Sequence, residues 1–219
     1  MRWNEKDGIR WLEADLPRSK AVFSTRSAGS MKESHALLAT ALGIPADRIV
    51  SGRQVHGAAL AFHDTPMTEN PEVDGHVIRE AGPIGLVYTA DCLPVALAGP
   101  GGVAMLHCGW RGLAAGIVAR GAEAVDATHA AIGPGIGACC YEVGDELLAA
   151  FAGLGEGIAV GRMLDLAEVA RRLLREAGVE RIEIAGLCTS CEEDRFFSHR
   201  RDAGRSGRQA GLVWLDEAG

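Results

Sequence analysis

A single α/β or α+β domain built on mixed β-sheet is what the sequence predicts, and three observations carry that expectation. Residues 81–110 form an apolar region whose only formal charge is Asp91. Pro83, Pro94, Pro100 and the glycines at 99, 101 and 102 cut it into short runs, which suits two or three buried strands better than a membrane span. Three further segments repeat apolar residues at helical spacing. Strands and helices then follow one another without a strict βαβ rhythm, which argues against a doubly wound sheet. At 219 residues the chain lies below the roughly 250 at which single cores split. It shows no linker, internal repeat or low-complexity tract, so one domain is expected over 1–219.

Taken in order, residues 21–25 (AVFST) predict a strand and 26–30 a turn. Residues 32–42 carry a helical stripe of Ala36, Leu37, Ala39 and Ala41 that stops at Gly43. Residues 55–62 predict a second strand and 64–74, rich in Pro, Asn and Asp, a loop. Strands are expected at 84–89, 94–98 and 103–107, with a break at 90–93. Continuous apolar runs of this kind mark strands covered on both faces. Residues 113–127 predict a helix and 130–132 a short strand that enters the glycine-rich turn 133–137. The clearest helix is 164–177, with Asp165 as N-cap, Glu168 three residues on and Gly178 just past its end. Strands at 181–185 and 211–215 complete the set.

Composition narrows the function classes. Hydrophobic residues at 47% and charged residues at 23% are ordinary globular values and exclude a disordered chain. A net charge of −7 disfavours nucleic acid and anionic membranes, both of which need clustered Lys and Arg. The 29 glycines point to tight turns and close backbone approach to ligands. The N-terminus has no apolar signal-peptide core, so a cytoplasmic location and six reduced thiols are expected. The cysteines then raise metal binding or nucleophilic catalysis rather than disulfides.

Three residues stand at strand ends beside glycine or proline: His56 in RQVHG, Cys92 in TADCLP and His107 in LHCGWRG. Two imidazoles and a thiolate suit zinc, and three protein ligands leave a fourth position open, which is the catalytic pattern. The plainer reading makes each His a hydrogen-bonded structural residue and the Cys a small hydrophobe. Asp91 is costly in its apolar surroundings unless it pairs with or orients something. It is therefore a candidate partner of a ligand or a general base, the alternative being a cap on the following turn. Arg111, between glycines at an expected helix start, could hold an anion or pair with an acid. The turn at 133–137 matches neither common phosphate-loop pattern, so a tight strand–helix turn is its default. Cys188 and Cys191 form a lone CxxC that could combine with Cys139 and Cys140 as a second, four-thiolate site. The five arginines within 195–208 could clamp an anion or form a solvated face.

These residues, with others, also carry a resemblance. Phe23-Ser-Thr-Arg26, Gln54-Val-His56, Asp74-Gly75, Thr89-Ala-Asp-Cys-Leu-Pro94 and His107-Cys-Gly-Trp-Arg-Gly112 begin the pattern. Gly133-Pro-Gly-Ile-Gly137, Cys140-Tyr-Glu-Val143, Cys188-Thr189, Phe196-Phe-Ser198, Arg200-Arg201 and Gly204-Arg205 complete it in order. The chain resembles the multicopper polyphenol oxidase or laccase-like family, also known as the peptidoglycan-editing factor family, whose members are described as purine nucleoside phosphorylases with adenosine deaminase activity. The resemblance implies a four-layer α/β/β/α sandwich and one zinc on His56, Cys92 and His107. It implies phosphorolysis of adenosine, inosine, guanosine or methylthioadenosine to free base and ribose 1-phosphate. The chain departs from the family in a shortened 32–47 segment without an Asn-Leu-Gly stretch, and in Cys108 and His199, where Ala and Tyr are common.

Within that reading Cys92, His56, His107 and Asp91 are the expected catalytic residues. Arg111, Arg53, Gln54 and Arg26 are expected to bind nucleoside or phosphate. The expected partners are a purine nucleoside and phosphate, in a monomer or weak homodimer. Multicopper oxidation fits poorly, since it relies on paired His-x-His motifs and none of the seven histidines forms one, although copper can enter a His₂Cys site in vitro. The alternatives are a copper-dependent polyphenol oxidase and a metal-free cysteine hydrolase acting on peptidoglycan-related amides, with Cys92 as nucleophile and His107 or His56 as base. A non-catalytic zinc-stabilised interaction protein is a third class.

Overall fold

The computed structural model describes residues 1–63 and 70–216. The strands are β1 (Arg2–Lys6), β2 (Ile9–Leu16), β3 (Ser19–Ser24), β4 (Ile49–Val50), β5 (Leu60–His63), β6 (Gly75–Ile78) and β7 (Ile84–Thr89). They continue with β8 (Leu93–Gly99), β9 (Gly102–Cys108), β10 (His129–Ile132), β11 (Ala159–Val160), β12 (Met163–Leu164), β13 (Arg181–Ile184) and β14 (Gln209–Leu215). The helices are α1 (Ala36–Leu42), α2 (Trp110–Ala114), α3 (Ile117–Val125), α4 (Asp145–Ala150) and α5 (Leu166–Glu176). Two six-stranded sheets result, ordered β1-β2-β3-β14-β7-β4 and β13-β10-β8-β9-β6-β5, with β11 and β12 as a separate hairpin. Both sheets are mixed: β4–β7, β10–β13 and β5–β6 pair in parallel, and the other pairs are antiparallel.

Side-chain alternation turns the two sheets into four layers. Phe23, Val87 and Val213 of the first sheet meet Ala96, Ala98, Val103, Met105 and Ala131 of the second. On the far side of the first sheet, Val22, Leu86 and Leu212 pack under Leu38 and Ala41 of α1. On the far side of the second, Leu97, Ala104 and Leu106 pack under Ile117, Val118, Leu147, Val169 and Leu174. The chain is therefore an α/β/β/α sandwich, and β8 and β9 are apolar up to His107 because both of their faces are covered.

Local signals explain most elements. Asp165 accepts the Glu168 N–H at 2.9 Å and caps α5, which buries Leu166, Val169, Ala170 and Leu174 on one stripe. Gly43, at φ 70°, ends α1 with its N–H turned back onto the helix. The expected helix over 113–127 is instead two helices, because Gly116 takes φ 83° between α2 and α3. The strand expected from residue 55 begins only at Leu60, because the N–H groups of Val55, His56 and Gly57 are bound to the Asp74 carboxylate rather than to a neighbouring strand. Of the loop expected at 64–74, residues 64–69 lie outside the described residues. The break at 90–93 is a turn with Asp91 at φ 86°.

Gly133, just past β10, shows how closely the sheets approach, since a Cβ there would lie 2.4 Å from Cδ1 of the buried Phe23 ring. Phe23→Ala should cost about 3–5 kcal/mol, measured as a lowered urea midpoint with an unchanged slope. A loss under about 1 kcal/mol would show that this ring does not hold the sheets together.

Candidate functional site

The ends of the second sheet and the loops beside it bring three ligand residues together. His107 is the penultimate residue of β9, and its register partner Pro94 follows Cys92 in the β7–β8 turn by two residues. His56 lies between β4 and β5 with φ 60°. The ligand atoms of His56, Cys92 and His107 all lie within 4.8 Å of one another, and the two imidazole rings meet edge to face at 4.9 Å. Gly109 makes the approach possible: a Cβ there would stand 3.0 Å from Cys92 Sγ and 3.3 Å from His56 Cδ2.

Asp74, fully buried, organises the cluster from behind. Its carboxylate accepts the N–H groups of Val55, His56 and Gly57 at 3.1, 3.0 and 2.7 Å. It also accepts His107 Nδ1–H at 2.8 Å, while its carbonyl takes the His107 N–H at 2.7 Å. With Nδ1 held as a donor, His107 turns its Nε2 toward the cluster, the nitrogen that a metal would take on displacing its proton. Burial pushes the Asp74 carboxyl up, but these hydrogen bonds bring it below the usual carboxylate range. Burial likewise opposes ionisation of Cys92, yet the neighbouring imidazoles bring its thiol down to about 6. Burial lowers His107, but the Cys92 thiolate and the Asp74 hydrogen bond carry it up to about 9. Two imidazoles, a ready thiolate and a fixed ring orientation fit zinc well.

A cavity of about 880 Å³ opens in front of the triad, within the range of small-molecule sites. Among the described residues, Lys32, Arg53, Arg111, Arg200 and Arg208 line it with one acid, Asp91, and Tyr88, Trp110 and Tyr141 supply aromatic faces. Arg111 lies over the Trp110 ring at 4.6 Å and forms no ion pair among the described residues. Arg53 pairs with Glu72 at the mouth. Asp91 accepts Thr189 Oγ1–H and the Arg200 N–H, one on each carboxylate oxygen, both at 2.7 Å.

Other expected site residues are placed differently. Gln54 borders the cavity, but its amide is engaged by Tyr88, whose N–H it accepts at 2.7 Å and whose carbonyl it donates to at 2.8 Å. It thus prolongs the edge of the first sheet. Arg26 is not brought to the cavity: its guanidinium donates to the Glu193 carbonyl at 2.6 Å and covers the Phe197 ring. The turn at 133–137 is packing rather than a phosphate cradle, since a Cβ on Gly135 would lie 2.4 Å from Leu93 Cδ2. Sequence reasoning gave Asp74 and Tyr141 no role. The signal for Asp74 was an acid directly before the short buried strand Gly75–Ile78.

Comparison with known proteins identifies the family and matches the fold. The profile of the family described as multi-copper polyphenol oxidoreductase laccase matches residues 23–216, and the chain belongs to that family. A Deinococcus radiodurans protein named purine nucleoside phosphorylase is 39% identical over 197 residues, covering 84% of this chain and 76% of the relative. A Streptomyces coelicolor protein of the same name is 37% identical over 207 residues, 86% of this chain and 84% of the relative. YlmD from Geobacillus stearothermophilus superposes with a TM-score of 0.83 at 30% identity, over 98% of this chain and 99% of that one. A Neisseria meningitidis protein does so with a TM-score of 0.81 at 30% identity, over 94% and 99%. No helix among the described residues is long and apolar enough to cross a membrane.

Asp74→Asn should lower zinc affinity about 10- to 100-fold in a chelator competition, because an amide NH₂ would face backbone donors; unchanged affinity would remove Asp74 from the site. In chelator-treated protein the rate of Cys92 alkylation should rise through a midpoint near pH 6, since a lowered thiol pKa keeps the thiolate at pH values above it. His107→Ala should move that midpoint upward, and a midpoint that stays put would refute the pairing.

Proposed function

We propose that this chain is a zinc-dependent purine nucleoside phosphorylase that converts adenosine, inosine, guanosine or methylthioadenosine with phosphate to free base and ribose 1-phosphate. Adenosine deamination is its second activity. The observation that supports this reading is a cavity lined, among the described residues, by five cationic side chains and one carboxylate beside a His₂Cys cluster, in a chain of net charge −7. Phosphate is the co-substrate that such a local reversal of sign would draw in.

His56, Cys92 and His107 would hold the metal, whose Lewis acidity supplies polarisation of a substrate oxygen or of water. The remaining work falls to the chain. Arg111, backed by Trp110, and Arg53 bind phosphate with planar guanidinium forks and orient an oxygen toward C1′ of the ribose. As the bond from that oxygen to C1′ forms, the glycosidic C–N bond breaks and the purine leaves with its bonding pair and a proton. Tyr141, Trp110 and Tyr88 offer the stacking faces that keep the base in place and water out. Each Asp91 oxygen keeps a second lone pair beyond its bonds to Thr189 and Arg200, so Asp91 is the proposed carrier of that proton. In deamination, water replaces the C6 amino group, which leaves as ammonia. Neither His56 nor His107 is followed by the Glu of the common zinc deaminases, so the proton transfers fall to Asp91 there too.

A second reading is favoured by the pairing of a lowered Cys92 thiol with a raised His107. That is the arrangement of a metal-free cysteine hydrolase, with peptidoglycan-related amides as its substrates.

One assay separates them: zinc-quantified protein is incubated with adenosine or inosine, with and without phosphate, and products are resolved by chromatography. Phosphate-dependent release of adenine or hypoxanthine is expected, abolished by Cys92→Ala. Arg111→Ala should raise the KM for phosphate by about tenfold or more, a loss of one charge-assisted contact. No change in either nucleoside by protein carrying zinc at the triad would overturn the phosphorylase reading. Amide cleavage that survives chelation would establish the hydrolase.

A further inference from the structure

Four of the six cysteines meet away from the triad. Cys139 and Cys140 follow the glycine-rich turn after β10, and Cys188 and Cys191 form the CxxC after β13. Their four sulfurs lie within 4.8 Å of one another, with Cys191 Sγ 3.4 Å from both Cys139 Sγ and Cys140 Sγ. A tetrahedral zinc site with Zn–S bonds of ~2.3 Å puts its sulfurs about 3.8 Å apart, so a small adjustment closes the set. A disulfide would need about 2.05 Å and would use only two of the four, all of which are free thiols here.

The backbone and the nearby charges suit the same occupant. The Gly137 N–H points at Cys188 Sγ at 3.2 Å, and a Cβ on Gly137 would stand 3.3 Å from Cys139 Sγ and 3.5 Å from Cys188 Sγ. The two segments are already joined by Thr189 N–H to Gly135 O at 2.9 Å and Gly135 N–H to Leu187 O at 3.4 Å. Four thiolates around a divalent cation leave a charge of about −2. Two guanidiniums border the cluster: Arg200 donates to the Cys140 carbonyl at 3.4 Å, and Arg201, whose charge is shared with Asp202, donates to the Thr189 and Ser190 carbonyls at 2.9 and 3.4 Å.

We propose that Cys139, Cys140, Cys188 and Cys191 hold a second zinc ion as a closed, structural four-thiolate site. Binding displaces the thiol protons to solvent and forms four Zn–S bonds, with no change of oxidation state. With no ligand position left open, the site takes no part in turnover. It clamps the segment carrying Tyr141, on the cavity wall, to the segment carrying Thr189, whose hydroxyl holds Asp91.

The test counts metal in full-length protein purified under reductant without chelator, by native mass spectrometry and elemental analysis. Two zinc ions per chain are expected. The double variant Cys188→Ser/Cys191→Ser should retain one, and His56→Ala/Cys92→Ala should also retain one. Cobalt(II) added to the His56→Ala/Cys92→Ala protein should give an intense thiolate-to-cobalt charge-transfer band. If the CxxC double variant does not fold, Cys139→Ser at the exposed edge should instead weaken one of the two zinc ions in a chelator titration and spare the other. One zinc per chain together with no cobalt–thiolate band in the His56→Ala/Cys92→Ala protein would overturn the proposal. So would a disulfide joining Cys191 to Cys139 or Cys140 in reductant-purified protein, or iron in place of zinc.

Discussion

One buried carboxylate sets the geometry of the triad. Asp74 could not remain charged in the interior without partners, and it has four: three consecutive backbone N–H groups and the His107 ring. The three N–H groups belong to the segment that carries His56, so the bonds that keep Asp74 ionised also fix the loop of one ligand. The fourth bond orients the other imidazole. Charge-assisted hydrogen bonds contribute about 1.5–3 kcal/mol each, enough to hold His56 at φ 60°, a left-handed conformation that costs a non-glycine residue roughly 1–2 kcal/mol. Strain at one ligand and satisfaction of one buried acid are thus two sides of a single arrangement.

The sandwich supplies the rigidity behind that arrangement. Ala96, Ala98 and Ala131 face the first sheet from the second, and such short side chains let Phe23 and Met105 fill the space between the layers. The larger Leu97, Leu106 and Ile132 point the other way, under the helices. The β8–β9 hairpin is therefore packed on both faces, and it presents Cys92 and His107 from adjacent strand ends. Ligands on such a frame have little freedom to drift, which is what metal affinity and substrate alignment both demand.

Much of this was legible in the sequence because the signals were local. The apolar runs of β7, β8 and β9, the capped α5 and the glycine that ends α1 each announce themselves within a few residues. Cys92 and His107 were legible because polar residues at the ends of apolar strands are costly and therefore informative, whereas His56, expected at a strand end, lies in the loop between β4 and β5. What escaped depended on distant partners. No strand was expected over β1 and β2, where the polar groups of Glu13 are answered across the hairpin by Arg2 and Asn4 and along β2 by the Trp11 indole. The start of β5 was misplaced because Asp74, far along the chain, captures the N–H groups that a strand would use. Nothing near Arg26 indicates that its guanidinium turns to the Glu193 carbonyl and the Phe197 ring rather than the cavity.

The six cysteines show why residue type alone does not decide chemistry. Cys92 and Cys108 are separated by one strand register, since Cys108 pairs with Leu93, the neighbour of Cys92. Cys92 nonetheless faces two imidazoles and ionises readily, whereas Cys108 points into the helix-covered core beside Leu113 and Ile117. Burial there pushes its thiol well above the usual range, with the nearby Cys92 and Asp74 charges adding to the effect, so it is a small hydrophobe and nothing more. The alternation of β9 puts His107 on one face and Cys108 on the other, so a slip of one residue would exchange a ligand for a core side chain. Register along this single strand therefore decides whether the His₂Cys cluster assembles, and the packing of Met105 inward and Leu106 outward is what holds it.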